Sequence, residues 1–228
     1  MQGSDSSTLA DRWESVNERI ASAARSAGRS TDDITTIVVT KFHPSSLIRE
    51  LSQLGVTNFG ESRHQEASAK VAELADIDAR WHFIGQLQSK KARHVREYAD
   101  VIHGVDRESL VASLGGVGRP VDVFLQVNLT DDLERGGAQP ADVPQLAARI
   151  QSTPGLSLLG LMTVAPLGED PRPAFEEVRL LSDRLRRDIP EAAFLSMGMS
   201  GDFEHAIAEG ATHLRIGTAI TGNRPPVG

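Results

Sequence analysis

Residues 34–40 of the chain read Ile-Thr-Thr-Ile-Val-Val-Thr, and this run is the first predicted strand. Valine, isoleucine and threonine favour strands, and a run without charged residues is typical of a strand covered on both faces. A helical pattern precedes the run, because apolar residues recur every three or four positions from Leu9 to Ala27, before Gly28. A second helix is predicted from about Ser45 to Leu54, so the chain continues as a strand followed by a helix.

The same alternation of strand and helix repeats to the end of the chain. Seven further strands are predicted at Thr57–Phe59, Trp81–Ile84, Asp100–His103, Val121–Val127, Ser157–Leu161, Ala193–Ser196 and His213–Ile216. Helices are predicted near Ser62–Ala75, Lys90–Tyr98, Arg107–Leu114, Ala141–Gln151, Pro173–Ile189 and Asp202–Glu209. This pattern predicts an α/β fold, a (β/α)8 TIM-type barrel with an extra N-terminal helix. A doubly wound open sheet is the alternative. Residues 9–228 are expected to form a single domain, after a disordered or poorly ordered N-terminus at 1–8.

The composition favours an ordinary globular protein. The chain has 228 residues, of which 39% are hydrophobic and 24% charged, and its net charge is −7. This charge offers no general attraction to nucleic acid or to an anionic membrane. No apolar run approaches the roughly 20 residues that span a bilayer. Cysteine is absent, which excludes disulfides and fits a cytoplasmic protein. The seven histidines show no metal-binding spacing, so no metal site is expected.

Polar residues follow most of the predicted strands, at the end of a barrel where ligands bind. In chain order, the residues at these strand ends are Lys41, Glu61 and Ser62, Gln86, Asn128, the apolar Met162, the segment Ser196 to Ser200, and the segment Arg215 to Thr218. Because the C-terminal ends of parallel strands share one rim, we expect the side chains to surround one site.

Lys41 admits two interpretations. It follows an apolar strand directly, and a lysine that leaves a sheet commonly extends its amine into water. A partly desolvated lysine, by contrast, has a lowered pKa and forms Schiff bases with aldehydes. Position alone does not decide between these, but the residues at the other strand ends bear on the choice.

The segments around the last two strands resemble a phosphate site. Gly198, Ser200 and Gly201 precede a predicted helix whose first amides would meet an anion. Gly217 and Thr218 add backbone amides and a hydroxyl, and TIM barrels often bind phosphate at this point. The alternative is that Ser200 caps the helix and Gly217 permits a turn.

Arg215 lies within an apolar strand end, where an unpaired guanidinium would be costly. A carboxylate, from Glu61 or another acid, is the usual partner for such a group. In a pyridoxal site, Arg215 could instead donate a hydrogen bond to the pyridine nitrogen and keep it unprotonated. Together with Lys41, Arg215 favours a phosphorylated aldehyde cofactor.

Five ordered motifs resemble the pyridoxal phosphate homeostasis protein family, whose members are single-domain relatives of the barrel half of alanine racemase. The motifs are Val39-Thr40-Lys41-Phe42-His43-Pro44, Phe59-Gly60-Glu61-Ser62-Arg63, Trp81-His82-Phe83-Ile84-Gly85-Gln86-Leu87-Gln88, Ser196-Met197-Gly198-Met199-Ser200 and Arg215-Ile216-Gly217-Thr218-Ala219-Ile220. The resemblance runs from about Leu9 to Arg224, so it covers nearly the whole chain.

The resemblance implies that pyridoxal 5′-phosphate binds at the barrel rim. Lys41 would form the Schiff base, Ser200, Gly217 and Thr218 would hold the phosphate with Ser196 nearby, Arg215 would approach the ring nitrogen, and Asn128 and Met162 would line the ring. The chain departs from the usual asparagine at Ser62 and Lys90, from aspartate at Gly201, and from an aromatic residue at Thr221. A contact from Ser62 near the cofactor would be shorter or mediated by water.

The resemblance also implies a role in pyridoxal phosphate (vitamin B6) homeostasis rather than catalysis. The alternative is an amino acid racemase or a related pyridoxal-phosphate enzyme, which needs a second acid/base group besides Lys41. Tyr98, the single tyrosine, is predicted at the opposite end of the barrel, and the chain has no room for a racemase's second domain. We therefore expect a non-catalytic carrier, monomeric, in transient contact with apo pyridoxal-phosphate enzymes.

Overall fold

The computed structural model describes residues 7–130, 132 and 135–223. Eight parallel strands close into a barrel in the order of the sequence. They are β1 (Thr35–Val39), β2 (Asn58–Glu61), β3 (Arg80–Phe83), β4 (Val101–Val105), β5 (Val121–Gln126), β6 (Leu156–Met162), β7 (Phe194–Ser196) and β8 (His213–Ile216). The predicted TIM-type barrel is confirmed, and the open sheet is excluded because β1 pairs with β8.

Helices surround the barrel. They are α1 (Leu9–Ser26), α2 (Ser45–Gln53), α3 (His64–Glu73), α4 (Ala92–Arg96), α5 (Glu108–Leu114), α6 (Val143–Gln151), α7 (Arg172–Asp188), α8 (Phe203–Ala208) and α9 (Thr218–Thr221). Short 3-10 turns lie at Thr31–Asp33, Ser89–Lys91 and Pro140–Asp142. The first eight agree with the predicted helices to within a few residues at their ends, and α9 is an additional short helix after the last strand. No helix within the described ranges is long and apolar enough to cross a membrane.

Helix α1 completes the shell where the helix after β8 is short. Its start is fixed by a capping box, in which the Asp11 amide donates to Thr8 Oγ1 (3.1 Å) and the Thr8 amide to Asp11 Oδ2 (2.8 Å). Its apolar stripe buries Val16 and Ile20, and the helix packs against α8 and α9. Of the N-terminal segment predicted to be poorly ordered, residues 1–6 lie outside the described residues.

The strands separate an apolar layer from a mixed interior. Side chains on the outer face, such as Val38 and Phe59, join the large core beneath the helices. The inner face carries a small apolar cluster of Val101, Phe124 and Met162. Polar and charged side chains share the interior with this cluster, as described below. Buried polar groups require hydrogen-bond partners, so the interior is held by specific contacts as well as by packing.

Candidate functional site

The ends of β1 and β8 bring the predicted amine and the predicted phosphate site together. The two strands are neighbours, with Val38 level with Ile216. Lys41 lies two residues beyond the end of β1, and Gly217 directly follows β8. A Cβ atom built at Gly217 would lie 3.6 Å from the Cβ atom of Val39. Lys41 and Gly217 therefore occupy adjacent positions on the C-terminal rim of the barrel. Lys41 is half-buried there.

The backbone on both sides of Lys41 is held by side chains of α3. The Lys70 ammonium donates to the carbonyl of Thr40 (2.9 Å), and the amide of Phe42 donates to Glu66 Oε1 (2.6 Å). Phe42 has a φ of 70°, the single non-glycine residue with positive φ in the described part of the chain. Such a conformation is strained for a bulky residue and persists where neighbouring contacts enforce it. These contacts fix the direction in which Lys41 leaves the strand.

Glu61 and Lys70 form a buried ion pair behind the strands. The Lys70 ammonium lies 2.7 Å from Glu61 Oε1, which also accepts a hydrogen bond from the Thr40 hydroxyl (2.7 Å). Glu61 is 1% exposed and Lys70 5% exposed. Burial raises the pKa of Glu61, and the attraction of Lys70 opposes that rise. The pair anchors α3 to the end of β1 through the Thr40 side chain.

Glu61 does not pair with Arg215, so the interpretation of Glu61 as its carboxylate partner is wrong. Side chains alternate across a strand, and in β2 Asn58 and Gly60 face the barrel interior, next to His82 and Ile37 respectively. Glu61 therefore faces α3, whereas Arg215 faces inward. Both residues lie near the C-terminal ends of their strands, but their side chains lie on opposite sides of the sheet.

Arg215 is held inside the barrel by neutral acceptors. Its Nη1 donates to Ser196 Oγ (2.6 Å) and its Nη2 to the carbonyl of Thr163 (2.8 Å). Burial lowers the pKa of Arg215 to about 10, partly opposed by the negative charge of Asp202. The guanidinium therefore stays protonated at neutral pH. Because its partners are a hydroxyl and a carbonyl, its positive charge is not neutralised by them.

The loop after β7 meets the start of α9. The Ala219 amide donates to Ser200 Oγ (3.4 Å), so Ser200 is tied to α9 and does not cap α8 as the alternative interpretation supposed. Gly198 has a φ of +95°, and a Cβ atom there would lie 2.7 Å from the Cβ atom of Ala206. A glycine is therefore required at this position. The hydrogen bond from Ala219 therefore joins the loop after β7 to the turn after β8, where Gly217 and Thr218 lie.

The other predicted site residues lie around the same rim with different roles. Met162 is buried in the inner apolar cluster. The side chain of Asn128 holds its own loop, because Oδ1 accepts from the Thr130 amide (3.0 Å) and Nδ2 donates to the Asp132 carbonyl (2.8 Å). Ser62 follows β2 and packs by its backbone against the loop after β3. Ser196 lies beneath Arg215, between that guanidinium and the barrel core.

Sequence reasoning missed the role of two histidines and misplaced one tyrosine. His82 and His103 are buried in the interior and hydrogen-bonded to each other (2.9 Å). Their alternation with apolar neighbours was the available signal. Tyr98 does not lie at the opposite end of the barrel: its ring stacks on His64, the first residue of α3, with 5.9 Å between centroids. The contact with His64 places the Tyr98 ring on the helix side of the sheet, and burial and the nearby Glu61 charge raise the pKa of Tyr98.

Comparison with known proteins shows the family of this chain. The family model for the alanine racemase N-terminal domain matches residues 15–225. The pyridoxal phosphate homeostasis protein of Corynebacterium glutamicum is 41% identical over 221 residues, covering 92% of this chain and 99% of that protein. The protein of the same name from Escherichia coli is 39% identical, covering 95% and 97%. The chain belongs to the pyridoxal phosphate homeostasis protein family.

Solved structures show how the family barrel relates to larger proteins. PipY of Synechococcus elongatus, solved with pyridoxal phosphate bound, is 38% identical, with a TM-score of 0.81 over 94% of this chain and 100% of that chain. The alanine racemase of Oenococcus oeni is 17% identical, with a TM-score of 0.65 over 95% of this chain and 59% of the racemase. The likeness to the racemase shows a shared fold alone, whereas the likeness to PipY shows both the fold and the family.

Proposed function

We propose that this chain binds pyridoxal 5′-phosphate as a Schiff base on Lys41 and acts in intracellular pyridoxal phosphate (vitamin B6) homeostasis. The observation that carries the proposal is the adjacency of Lys41, Arg215 and the Gly217–Thr218 turn at the neighbouring ends of β1 and β8. The family membership supports it, as does the bound pyridoxal phosphate in the related PipY structure.

The chemistry of the donor set fits each part of this cofactor. A lysine amine condenses with an aldehyde to form a carbon–nitrogen double bond with loss of water, and Lys41 is the rim lysine whose backbone is clamped on both sides. Hydroxyls and free helix-start amides suit a phosphate, and Ser200, Gly217 and Thr218 supply them. Arg215, a permanent donor, suits an unprotonated ring nitrogen. Met162 would lie against the ring, with Ser62 and Asn128 more peripheral.

The proposed role is that of a non-catalytic carrier. When bound, the cofactor supplies an electron sink, and a ring nitrogen that accepts from an arginine withdraws electrons less strongly than a pyridinium. Racemisation also requires proton transfer at both faces of a substrate. The chain has one tyrosine and no cysteine, and Tyr98 lies on the helix side of the sheet, away from the rim lysine. We propose a monomer that delivers the cofactor to apo-enzymes in the cytoplasm by transient contact.

The test is an absorption spectrum and an intact mass of the purified protein, recorded before and after borohydride reduction. We expect a visible band that reduction abolishes, together with a stable mass increase of one reduced cofactor. Lys41→Ala should lose both, whereas Lys90→Ala, at an exposed lysine, should retain both. A protein that takes up no added cofactor would overturn the proposal. Stereospecific turnover of an amino acid, lost in Lys41→Ala, would replace the carrier with an enzyme.

A further inference from the structure

A continuous line of hydrogen bonds crosses the barrel interior from Arg215 to the opposite mouth. Arg215 Nη1 lies 2.6 Å from Ser196 Oγ, which lies 2.8 Å from His103 Nδ1. His103 Nε2 lies 2.9 Å from His82 Nδ1, and His82 Nε2 lies 2.9 Å from Asn58 Oδ1. The five side chains come from five different strands or strand ends, and we call them the interior relay.

The position of every proton in the interior relay follows from its two ends. Asn58 Nδ2 donates to Thr57 Oγ1 (3.1 Å), so Asn58 Oδ1 faces His82 and accepts its Nε2 proton. A neutral imidazole carries one proton, so His82 Nδ1 accepts from His103 Nε2. His103 Nδ1 then accepts from the Ser196 hydroxyl. Ser196 Oγ in turn accepts from Arg215, which can act only as a donor, and the two ends agree.

The surroundings keep both relay histidines neutral. Burial, followed by the repulsion of neighbouring cationic groups, holds the pKa values of His82 and His103 well below the ordinary range. The titratable or charged groups that face them are His213, Arg80 and Arg215, and the His103 ring also packs 4.7 Å from that of Phe124. Each of the three groups disfavours a second proton. The interior relay therefore has one stable direction, with its acceptor end towards Arg215.

We propose that the interior relay positions Arg215 for the ring nitrogen of the cofactor. This inference rests on the function proposed above. Two of the guanidinium N–H groups are directed inward, to Ser196 and to Thr163, which leaves its other N–H groups for a ligand. A carboxylate partner would neutralise the charge of Arg215, whereas aligned neutral dipoles orient the group and leave its charge available. Ser196, His103, His82 and Asn58 are thus positioning residues.

The far end of the interior relay is accessible. Asn58 lines a cavity of about 490 Å³ at the N-terminal mouth of the barrel, together with Thr35 and Arg80. A change at Asn58 should therefore be transmitted to the rim on the other side. Without an acceptor at Asn58, His82 is free to move its proton to Nδ1, where it would oppose the proton on His103. His103 would then have to move its own proton towards Ser196.

The first arm of the test uses the cofactor-free protein and nitrogen-15 NMR of its side chains. We expect His82 and His103 to be neutral Nε2–H tautomers at neutral pH, and the Nη1 and Nη2 resonances of Arg215 to be separate because hydrogen bonds hinder its rotation. Asn58→Leu should change the tautomer of His82. Thr35→Val, in the same mouth but outside the interior relay, should not. An imidazolium or an Nδ1–H tautomer in the unmodified protein would overturn the inference.

The second arm uses the protein loaded with pyridoxal phosphate. Ser196→Ala, which acts at Arg215 directly, and Asn58→Leu, which acts at a distance, should each weaken cofactor affinity by about tenfold. Both should shift the pH profile of the visible absorption, whereas Thr35→Val should change neither. Unaltered affinity and spectra in Asn58→Leu would refute the proposal even if Ser196→Ala failed to fold. If the unmodified protein bound no cofactor, the proposed function would fall together with the cofactor part of this inference, while the tautomers would still report on the relay's geometry.

Discussion

Replacing Lys70 with methionine should destabilise the protein severely, because it leaves the Glu61 carboxylate buried without a neutralising cation and with only the Thr40 hydroxyl bonded to its Oε1. Methionine keeps much of the length of lysine but removes the ammonium that lies 2.7 Å from Glu61 Oε1. Glu61 is 1% exposed, so water cannot replace the lost cation. Removal of one partner from a buried ion pair costs about 3–5 kcal/mol of the free energy of unfolding. The change also removes the hydrogen bond to the Thr40 carbonyl.

The cost in Lys70→Met should depend on pH. Burial already raises the pKa of Glu61, and Lys70 opposes this rise, so its removal raises the pKa further. A carboxyl group whose pKa is higher in the folded than in the unfolded state binds more protons when folded. The loss of stability is therefore absent below the unfolded pKa, grows as the pH rises from the unfolded to the folded pKa, and is complete above the folded pKa. The variant should be much weaker than the parent at neutral pH and approach it in acid.

The assay is urea-induced unfolding of the parent, Lys70→Met, and the double variant Glu61→Gln with Lys70→Met, at neutral and acidic pH. The double variant should regain most of the lost stability at neutral pH, because no unpaired charge remains. Arg49→Met, which breaks an exposed ion pair with Asp76, serves as a control and should change stability little. The reasoning is refuted if Lys70→Met matches the parent at neutral pH, or if its cost does not shrink in acid.

Two further substitutions test the fold and the rim. Thr8→Ala removes the cap of α1 and should cost ~1 kcal/mol in urea unfolding, with Thr8→Ser as the control that keeps the cap; an unchanged midpoint would contradict the role of the capping box. Gly198→Ala should lower the free energy of unfolding by about 1–3 kcal/mol, because the new methyl group would clash with Ala206 at a backbone φ of +95°. It should also weaken cofactor binding. Gly201→Ala, with open space around its Cβ position, is the matched control, and the two variants are compared by calorimetry and spectral titration.

The fold was accessible from sequence because its signals are local. Each strand is a short apolar run bounded by helix-forming segments, and the order of such runs determines a barrel. The runs around Val38 and Leu125 are two examples, and both residues lie in the core. Element ends differed by a few residues, since helix termini depend on caps and tertiary contacts. The rim location of Lys41, Ser200 and Arg215 followed from the same alternation.

The internal geometry was not accessible, because it depends on which face of a strand each side chain occupies. Strands covered on both faces are apolar throughout, so their sequence does not reveal which residues point inward. Glu61 was therefore assigned to the wrong side of the sheet. The contact between His103 and Ser196 spans 93 residues, and no local pattern reports such a pairing. The hydrogen bonds by which the Asn128 side chain closes the loop that follows it were likewise not evident from the sequence.

The single proton direction of the interior relay limits which substitutions its positions can accept, both in evolution and in protein engineering. Each hydrogen bond of the interior relay needs a donor on one side chain and an acceptor on the next. A substitution at Asn58, His82, His103 or Ser196 alone therefore places two donors or two acceptors opposite each other. Chimaeras that import β3 or β4 alone from a distant barrel should inherit such a conflict. Homologues that differ at one of these positions should also differ at the neighbouring position. Such covariation can be detected by aligning homologous sequences.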